Sequence, residues 1–197
     1  AITVVRGAPS SLIIDEINTN IIEQSKIFLT QLEVPLNVTL NCLKSAKKNG
    51  LINILNPAPA CELSNDFFGL IDYFTPNETE AEFYTGVKIN NEDDVKESAK
   101  KLIKMGIKNV IITLGEKGAY FANANETFSS PIANLSNPVV DTTGAGDAFN
   151  AGFAVALTEN KSIKDAISFA SATAGLSTTK IGTANSMPNR DEIDKIL

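Results

Sequence analysis

The sequence predicts a three-layer α/β/α fold built on a mostly parallel β-sheet. Continuously apolar runs, such as residues 110–114, are typical of strands that are buried on both faces. Segments with apolar residues at helical spacing, such as residues 91–106, separate these runs. Strands that alternate with helices at this pace indicate βαβ units, in which helices cover both faces of the sheet. We therefore expect one α/β domain over residues 1–197.

The composition narrows the function classes. Because 43% of the 197 residues are hydrophobic, the chain can bury a substantial core, and its net charge of −6 argues against a nucleic-acid-binding surface. Zero histidines exclude Ser-His and Cys-His catalysis, and Cys42 and Cys61 lack metal-ligand spacing. No uncharged run reaches the roughly 18 residues of a membrane span, and no signal-peptide layout is seen. We expect a cytoplasmic protein that binds neither nucleic acid nor membrane.

In chain order, strand and helix patterns alternate. Residues 1–5 are expected to form a strand and residues 6–9 a loop; since domains rarely begin within a strand, we expect the chain to be cut from a longer one. The following segments are expected to be a helix (14–25), a strand (26–30), a helix (35–49), a strand (51–55), a rigid proline loop (56–60) and a strand (70–74). The later segments are expected to be a helix (91–106), a strand (110–114), a hairpin strand (119–122), a polar strand and loop (123–138), a helix from about residue 144 and a helix capped by Ser162.

Residues 75–80 leave two interpretations open. They lead from a strand into a helix and place Asn77 and Glu80 one turn apart, on the same helix face. The pair can bind Mg²⁺ through water molecules, because Mg²⁺ retains several water ligands and uses few protein carboxylates. The pair can equally be a helix cap, with Asn77 as N-cap and Glu80 three positions later, and the spacing alone favours the cap.

Residues 141–149 carry the strongest functional motif. Residues 148–157 are uncharged, with apolar side chains at helical spacing, so a buried helix is expected to begin near Gly144. The unpaired amides of a helix start suit phosphate, and Gly144 and Gly146 allow its close approach. Asp147 in the same turn can take the proton of an attacking hydroxyl in phosphoryl transfer. The residues alone leave open an ordinary strand-to-helix turn in which Asp147 only complements the helix dipole.

Residues 141–147 closely resemble the C-terminal signature of the ribokinase-like carbohydrate and nucleoside kinases. The Asn-Pro-Ala-Pro-Ala stretch at residues 56–60 and the segment 75–80 follow the order of that family, and the likeness runs from about Val4 to the end. The resemblance implies that the γ-phosphoryl group of ATP is transferred to the 5-hydroxyl of D-ribose, with Asp147 as the base. It implies an anion hole formed by Gly144, Ala145 and Gly146. It also implies that the N-terminal third of a family member is absent.

The same resemblance assigns substrate and cofactor contacts. Glu33, just after the strand at 26–30, would touch the sugar, as would Asp147; without the family, Glu33 is an ordinary solvated loop acid. Mg²⁺ would lie near Glu80. At Ser171 the family often has histidine or asparagine. The residues that would contact ATP are Asn77, Thr113, Leu114, Gly115, Glu116, Lys117, Gly118, Gly146 and Ser171.

The tail at residues 177–186 has no strong periodic pattern and would otherwise be an ordinary polar loop. In the family this loop binds a monovalent cation, usually K⁺. Lys180 and Gly182 can contribute only backbone carbonyl groups. The ligands implied by residue-to-residue match are Asp141, Thr143, Ser177, Lys180, Gly182 and Ser186.

Other functions stay open at this point. The chain can be a nucleotide-binding module without catalysis, or a related kinase for adenosine, fructose or pseudouridine. A Rossmann oxidoreductase fits less well, because Phe149 stands where the third glycine of its fingerprint belongs. The resemblance also implies a homodimer for a full-length protein, formed through lid strands that we do not expect in this chain.

Overall fold

The computed structural model describes residues 7–197, except for the side chain of Thr19, and these residues divide into two compact units. The first unit extends to Ile112 and includes Ala122–Thr127. The second unit comprises Thr113–Phe121 and Phe128–Leu197. The strand expected at residues 1–5 lies outside the described residues. The single domain expected over the whole chain stays a prediction.

Within the described residues, six strands form one sheet, in the same order as in the sequence. They are β1 (Ile27–Thr30), β2 (Ile52–Leu55), β3 (Tyr73–Phe74), β4 (Asn109–Thr113), β5 (Ala119–Asn123) and β6 (Thr127–Ser130). Strands β1 to β4 pair in parallel, with Ile27 opposite Ile52 at the start of β1. Val110, Ile111 and Ile112 of β4 are buried, as both-face coverage of a parallel sheet requires. The mostly parallel sheet predicted from the sequence is confirmed.

Helices precede and follow the strands of the first unit. They are α1 (Thr19–Glu23), α2 (Leu36–Lys48), α3 (Asn65–Phe68), α4 (Glu78–Thr85) and α5 (Glu92–Lys104). The helix expected at 35–49 is α2, and its apolar stripe, which includes Cys42 and Ala46, is buried. Ala46 shares a buried cluster with Ile22 of α1 and with Leu51, which precedes β2, so this stripe packs α2 onto its neighbours in the first unit.

Two expected elements are shorter than the sequence suggested. The helix expected at 14–25 is a 3-10 turn (Ile14–Glu16) followed by α1, because Asn18 interrupts it and accepts the amide of Asn20 at 3.1 Å as a new N-cap. The strand expected at 70–74 is reduced to β3. The amide of Leu70 bonds instead to the carbonyl of Phe67, within the turn that ends α3. In both places a local side-chain or turn hydrogen bond replaces the expected regular structure.

The second unit is built around a pair of closely packed helices, α6 (Ala145–Thr158) and α7 (Ile163–Ser177), followed by α8 (Arg190–Asp194). The Ser162 hydroxyl accepts the amide of Asp165 and caps α7, as the sequence predicts. A Cβ at Gly152 of α6 would lie only 2.6 Å from Thr173 Oγ1 and 3.2 Å from the Cα of Ala170. The small residues of α7, such as Ala170, therefore allow the backbones of α6 and α7 to approach closely.

Among the helices of residues 7–197, none combines the length and the apolar character that crossing a membrane would require.

Candidate active site

The turn that opens α6 belongs to the second unit and carries the motif at 144–147. Gly144 is the N-cap residue, with φ 78° and ψ 4°, a left-handed conformation that glycine adopts without steric cost. Its carbonyl accepts the amide of Ala148 at 2.9 Å. A Cβ at Gly144 would lie 3.3 Å from Thr183 Cγ2, so a larger residue would press on the tail loop. Gly144 has no side chain that could cap the helix, and within the turn the amide of Ala145 donates to the Thr142 carbonyl at 3.2 Å.

Gly146 provides open access to this turn. It is exposed, it has an ordinary helical backbone, and a Cβ added there would meet no atom within 4 Å. Its carbonyl accepts the side-chain amide of the buried Asn150 at 2.9 Å, which fixes the turn from below. Asp147 is exposed in the same first turn. A phosphoryl group can therefore approach the start of α6 with a carboxylate nearby.

Asp141 joins the signature to the tail loop. Its Oδ1 accepts the amide of Thr143 at 2.9 Å, and its Oδ2 accepts the amide of Gly182 at 3.0 Å. The amide and hydroxyl of Thr143, and then the amide of Gly182, lower the pKa of Asp141 from its ordinary value of 3.8. The amides of Val140 and Asp141 both donate to the Thr178 carbonyl, at 2.8 and 3.1 Å. Three residues of the expected K⁺ set, Asp141, Thr143 and Gly182, are thus brought together.

The other residues of the expected K⁺ set lie on the tail and have local partners. Ser177 is buried and its hydroxyl donates to the Ala174 carbonyl at 2.7 Å. Ser186 is buried and donates to the Thr183 carbonyl at 2.6 Å. The Lys180 ammonium pairs with Glu192 Oε1 at 3.0 Å. The ammonium is therefore directed to α8. Because a lysine side chain has no oxygen atom, Lys180 can contribute only its backbone carbonyl as a ligand.

The donor chemistry of the tail suits a monovalent ion better than a transition metal. Among the described residues, no group of three or more His, Cys, Asp or Glu side chains could hold a metal ion. The oxygens of the expected set are a single carboxylate, hydroxyls and carbonyls, which resemble the carbonyl-rich sites that coordinate K⁺. The expected ligands therefore fit the ion in chemical type.

The loop at 113–118 also lies in the second unit. It follows β4 as a 3-10 turn (Gly115–Lys117), and the amide of Leu114 donates to the Gly118 carbonyl at 2.8 Å. Gly118 has φ 90°, and a Cβ there would lie 2.1 Å from the Ser130 carbonyl oxygen. Gly118 is therefore required by the turn into β5 itself. The contact of this loop with ATP stays a prediction.

Ser171 lies in the middle of α7, where it is buried. This placement does not decide whether Ser171 contacts a nucleotide, so the assignment of Ser171 to the adenine stays a prediction.

In the first unit, Asn77 and Glu80 form the helix cap that the spacing favoured. The amide of Asn77 donates to Glu80 Oε2 at 2.8 Å, and the amide of Glu80 donates to Asn77 Oδ1 at 2.8 Å. Burial raises the pKa of Glu80, and the Asn77 amide opposes that shift. The capping box is thus present at the start of α4, and the role of Glu80 near Mg²⁺ stays a prediction.

Glu33 is exposed in the loop that follows β1. The residues around it make a hydrogen-bond network that the sequence analysis did not assign. Gln31 Nε2 donates to Asn56 Oδ1 at 2.8 Å, and Asn56 Nδ2 donates to the Thr75 carbonyl at 3.0 Å. The sequence signal was a polar residue, Asn56, directly after a buried strand and before two prolines.

Comparison with known proteins agrees with this organisation. The profile of the pfkB family carbohydrate kinases matches residues 13–190. The chain is 45% identical over 176 residues to a ribokinase of Haemophilus influenzae, covering 89% of this chain and 57% of that protein. It is thus similar to a little over half of the length of that relative.

Solved structures show the same likeness. The structure superimposes on a Thermotoga maritima ribokinase with a TM-score of 0.87 and 38% identity, covering 98% of this chain and 63% of that one. It superimposes on an Arabidopsis thaliana ribokinase, solved with ribose and ATP, with a TM-score of 0.86 and 34% identity, covering 90% and 57% of the two chains. These neighbours confirm the predicted three-layer α/β/α fold.

Proposed function

The chain belongs to the pfkB family of carbohydrate kinases, and on this basis we propose that the protein transfers the γ-phosphoryl group of ATP to the 5-hydroxyl of D-ribose. The likeness to ribokinases, one of them solved with ribose and ATP, supports the choice of sugar and nucleotide.

The observation that carries this proposal is the turn at the start of α6. Gly144 in its left-handed conformation leaves the first-turn amides without a side-chain cap, and Gly146 leaves open space in front of them. The N-terminus of a helix of this length carries a partial positive charge that stabilises an anion. We assign the charge of the transferred phosphoryl group to the amides of Ala145 and Gly146.

Asp147 is the catalytic base in this proposal. It stands in the same first turn as the anion-binding amides and its side chain is exposed to a substrate. Its carboxylate accepts the proton of the sugar hydroxyl while that oxygen attacks the γ-phosphorus and the bond to the ADP oxygen breaks. The sugar 5-phosphate and ADP are the products, and Glu33 is assigned to bind the sugar.

ATP is assigned to the loop at 113–118, Asn77, Gly146 and Ser171, and Mg²⁺ to the neighbourhood of Glu80. Mg²⁺ supplies positive charge to the phosphate oxygens when it is bound. The capping box keeps the Glu80 carboxylate in a fixed orientation at the start of α4, which favours one defined ligand position.

K⁺ is assigned to Asp141, Thr143, Gly182 and the buried Ser177 and Ser186, with the Lys180 backbone. The support is the pair of hydrogen bonds by which Asp141 connects the signature to the tail loop. An ion bound there would stiffen the residues that precede the anion-binding turn.

The proposal is tested on the natural gene product by measuring ADP release with ATP and Mg²⁺, with and without D-ribose, in K⁺ and in Na⁺ buffers. Phosphorus NMR identifies the position of the phosphate on the sugar. Ribose-dependent release of ADP with formation of the 5-phosphate supports the proposal. ADP release at the same rate without sugar, or turnover only with another sugar or nucleoside, refutes it.

A second candidate function is a nucleotide-binding module without turnover. The loop at 113–118 and the α6 turn both lie in the second unit, and the chain spans 57% of its ribokinase relative. Calorimetric binding of ATP, together with no ADP release in the presence of any of the candidate sugars, would favour this function over the kinase.

A further inference from the structure

The side chain of Asn56 connects the carboxyl ends of three neighbouring parallel strands in the first unit. It directly follows β2 and is buried. Its Oδ1 accepts Gln31 Nε2 at 2.8 Å just after β1, and its Nδ2 donates to the Thr75 carbonyl at 3.0 Å just after β3. Both ends of the amide are used, so its orientation is fixed.

The backbone reinforces the same connection. The Asn56 amide donates to the Thr30 carbonyl at 3.0 Å, and the Leu32 amide donates to the Ala58 carbonyl at 2.9 Å. The loop after β1 is therefore held against the loop after β2 on both sides of Gln31. Glu33 is the next residue after this double attachment.

On the other side, Thr75 leads into the capping box of α4. Thr75 is buried, and its amide donates to the Leu55 carbonyl at 3.1 Å. Asn77 and Glu80 follow within the same loop and helix start. A displacement of Thr75 is therefore carried to residues that we assign to the nucleotide and the metal.

We propose that Asn56 is a positioning residue of the kinase site, which sets the spacing between the loop of Glu33 and the loop of Asn77 and Glu80. Asn56 does not touch the substrate in this proposal and acts through Gln31 and Thr75. The inference rests on the proposed function, because Glu33, Asn77 and Glu80 have their binding roles only there. In phosphoryl transfer most of the catalytic effect comes from positioning, so a small shift between these loops lowers turnover.

Asn53, within β2, offers a matched control close to Asn56 in the sequence. It is also buried, and its Nδ2 donates to the carbonyls of Leu43 and Leu70, at 3.0 and 2.9 Å. These bonds lie toward the opposite end of β2 from Asn56, away from the loops of Glu33 and Asn77. Asn53→Ala and Asn56→Ala therefore each remove a buried amide with long-range hydrogen bonds, but only one of the two connects the proposed site.

The test compares these variants in the natural gene product, using ADP release at varied D-ribose and ATP and thermal unfolding. We expect both variants to lower the unfolding midpoint. We expect Asn56→Ala to lower kcat/KM for D-ribose about tenfold or more. Asn53→Ala is expected to keep kcat and both KM values within about twofold of the unmodified protein.

Gln31→Ala keeps the proposal testable if Asn56→Ala does not fold, because Gln31 is only half-buried. Its loss of kcat/KM should be in the same direction. The double variant should lose less than the product of the two single effects, since each single variant already removes the hydrogen bond between Gln31 and Asn56. Fully independent effects of Gln31→Ala and Asn56→Ala would contradict the proposal.

Two failures are distinguishable. If the unmodified protein releases no ADP with D-ribose, the proposed function fails before any variant is compared. If it turns over normally and Asn56→Ala changes only the unfolding midpoint, as Asn53→Ala does, the proposed function stands. In that case Asn56 is only a structural residue and the positioning role is wrong.

Discussion

The carboxylate of Asp141 accepts the backbone amide of Gly182 at 3.0 Å, across 41 positions of the chain. The same carboxylate accepts the amide of Thr143 at 2.9 Å. One side chain thus fixes both the residues that precede the α6 turn and the glycine at the centre of the tail loop. This arrangement makes Asp141 a suitable position at which to test the proposed cation site separately from the proposed catalytic base.

We predict that Asp141→Asn raises the K⁺ concentration needed for half-maximal stimulation about tenfold or more. An asparagine that still accepts the Thr143 amide turns its NH₂ group toward the Gly182 amide, so two donors face each other and a negative charge is lost. Titration of ADP release with K⁺ measures the change. Asp191→Asn removes an exposed acid from the first turn of α8 and is the control. An unchanged K⁺ response in Asp141→Asn would contradict the assignment.

We predict that Asp147→Asn lowers kcat about 10²- to 10⁴-fold, the usual contribution of a general base. The amide is similar in size to the carboxylate but cannot take the proton of the sugar hydroxyl. KM values for ATP and D-ribose should change by only a few-fold. Steady-state kinetics of the natural gene product decide the matter, and near-normal turnover in the variant would remove Asp147 from the mechanism.

Gly146→Ala is predicted to abolish most turnover without destabilising the fold. The added methyl group meets no protein atom within 4 Å, and alanine is the better helix former. The methyl group instead occupies the space assigned to the phosphoryl group, so we expect kcat to fall about 10²-fold, as when an anion-hole donor is lost. Kinetics and thermal unfolding are measured on the same sample. Full activity would show that no anion approaches this turn closely.

Gly144→Ala provides the comparison, because the backbone conformation and a neighbouring side chain both disfavour a methyl group at that position. Gly144 has φ 78°, and the new Cβ would lie 3.3 Å from Thr183 Cγ2. We expect a loss of unfolding free energy of about 1–2 kcal/mol from the left-handed backbone alone. Chemical denaturation should therefore separate Gly144→Ala from Gly146→Ala.

Most of the regular structure was predictable because its signals are local. Ser162 caps α7 from a hydroxyl three positions away, and the acids that follow Asn91 mark the start of α5. The turn at 144–147 was predictable for the same reason, since glycines and an acid at a helix start are adjacent in sequence. Periodicity and capping depend on residues within one or two turns, which a sequence shows directly.

The short helices α3 and α8 were missed because their patterns are short, and in α8 distant contacts add to a local capping box of Asn189 and Glu192. α3 and α8 are too short for a periodic pattern to be seen. In α8, Arg190 bonds to Glu159, 31 positions away, and its guanidinium lies 5.1 Å from the ring centroid of Phe169. Such contacts exist only after the chain has folded.

The same limit applies to the candidate site. The link between Asp141 and Gly182 was accessible only through the family resemblance, and the contact of Gln31 with Asn56, 25 positions apart, was not anticipated at all. In the sequence, the Asn-Pro-Ala-Pro stretch was informative only as a marker of the family. The use of its asparagine side chain became clear only from the arrangement of three strand ends.

Gly152→Ala is predicted to weaken the packing of α6 on α7. The new Cβ would lie 2.6 Å from Thr173 Oγ1 and 3.2 Å from the Cα of Ala170, and backbone cannot move aside as a flexible side chain can. We expect a loss of about 1–3 kcal/mol in the free energy of unfolding. Urea denaturation provides the measurement, with Gly146→Ala as the control in the same helix. Equal stability of the two variants would contradict the close packing.

Asp72 is predicted to make the stability of the first unit depend on pH. Its side chain is 14% exposed, Oδ1 accepts the ammonium groups of Lys47 and Lys108 at 2.7 and 2.8 Å, and Oδ2 accepts the Asn53 amide at 3.0 Å. Burial raises the pKa of Asp72, but the Asn53 amide and then the two lysines outweigh it, so the pKa lies below its ordinary 3.8. The unfolded chain therefore binds this proton more readily than the folded chain does.

It follows that Asp72 stabilises the fold above pH 3.8, and that this contribution disappears as the pH falls through the lowered folded-state pKa. Asp72→Asn should lose about 1–3 kcal/mol of unfolding free energy near pH 7, and the difference from the unmodified protein should shrink toward about pH 3. Urea denaturation of both proteins at both pH values measures this difference in unfolding free energy. Asp93→Asn is the control, because Asp93 is 91% exposed in its pair with Lys96. A loss of the same size at both pH values would assign the effect of Asp72 to packing instead of charge.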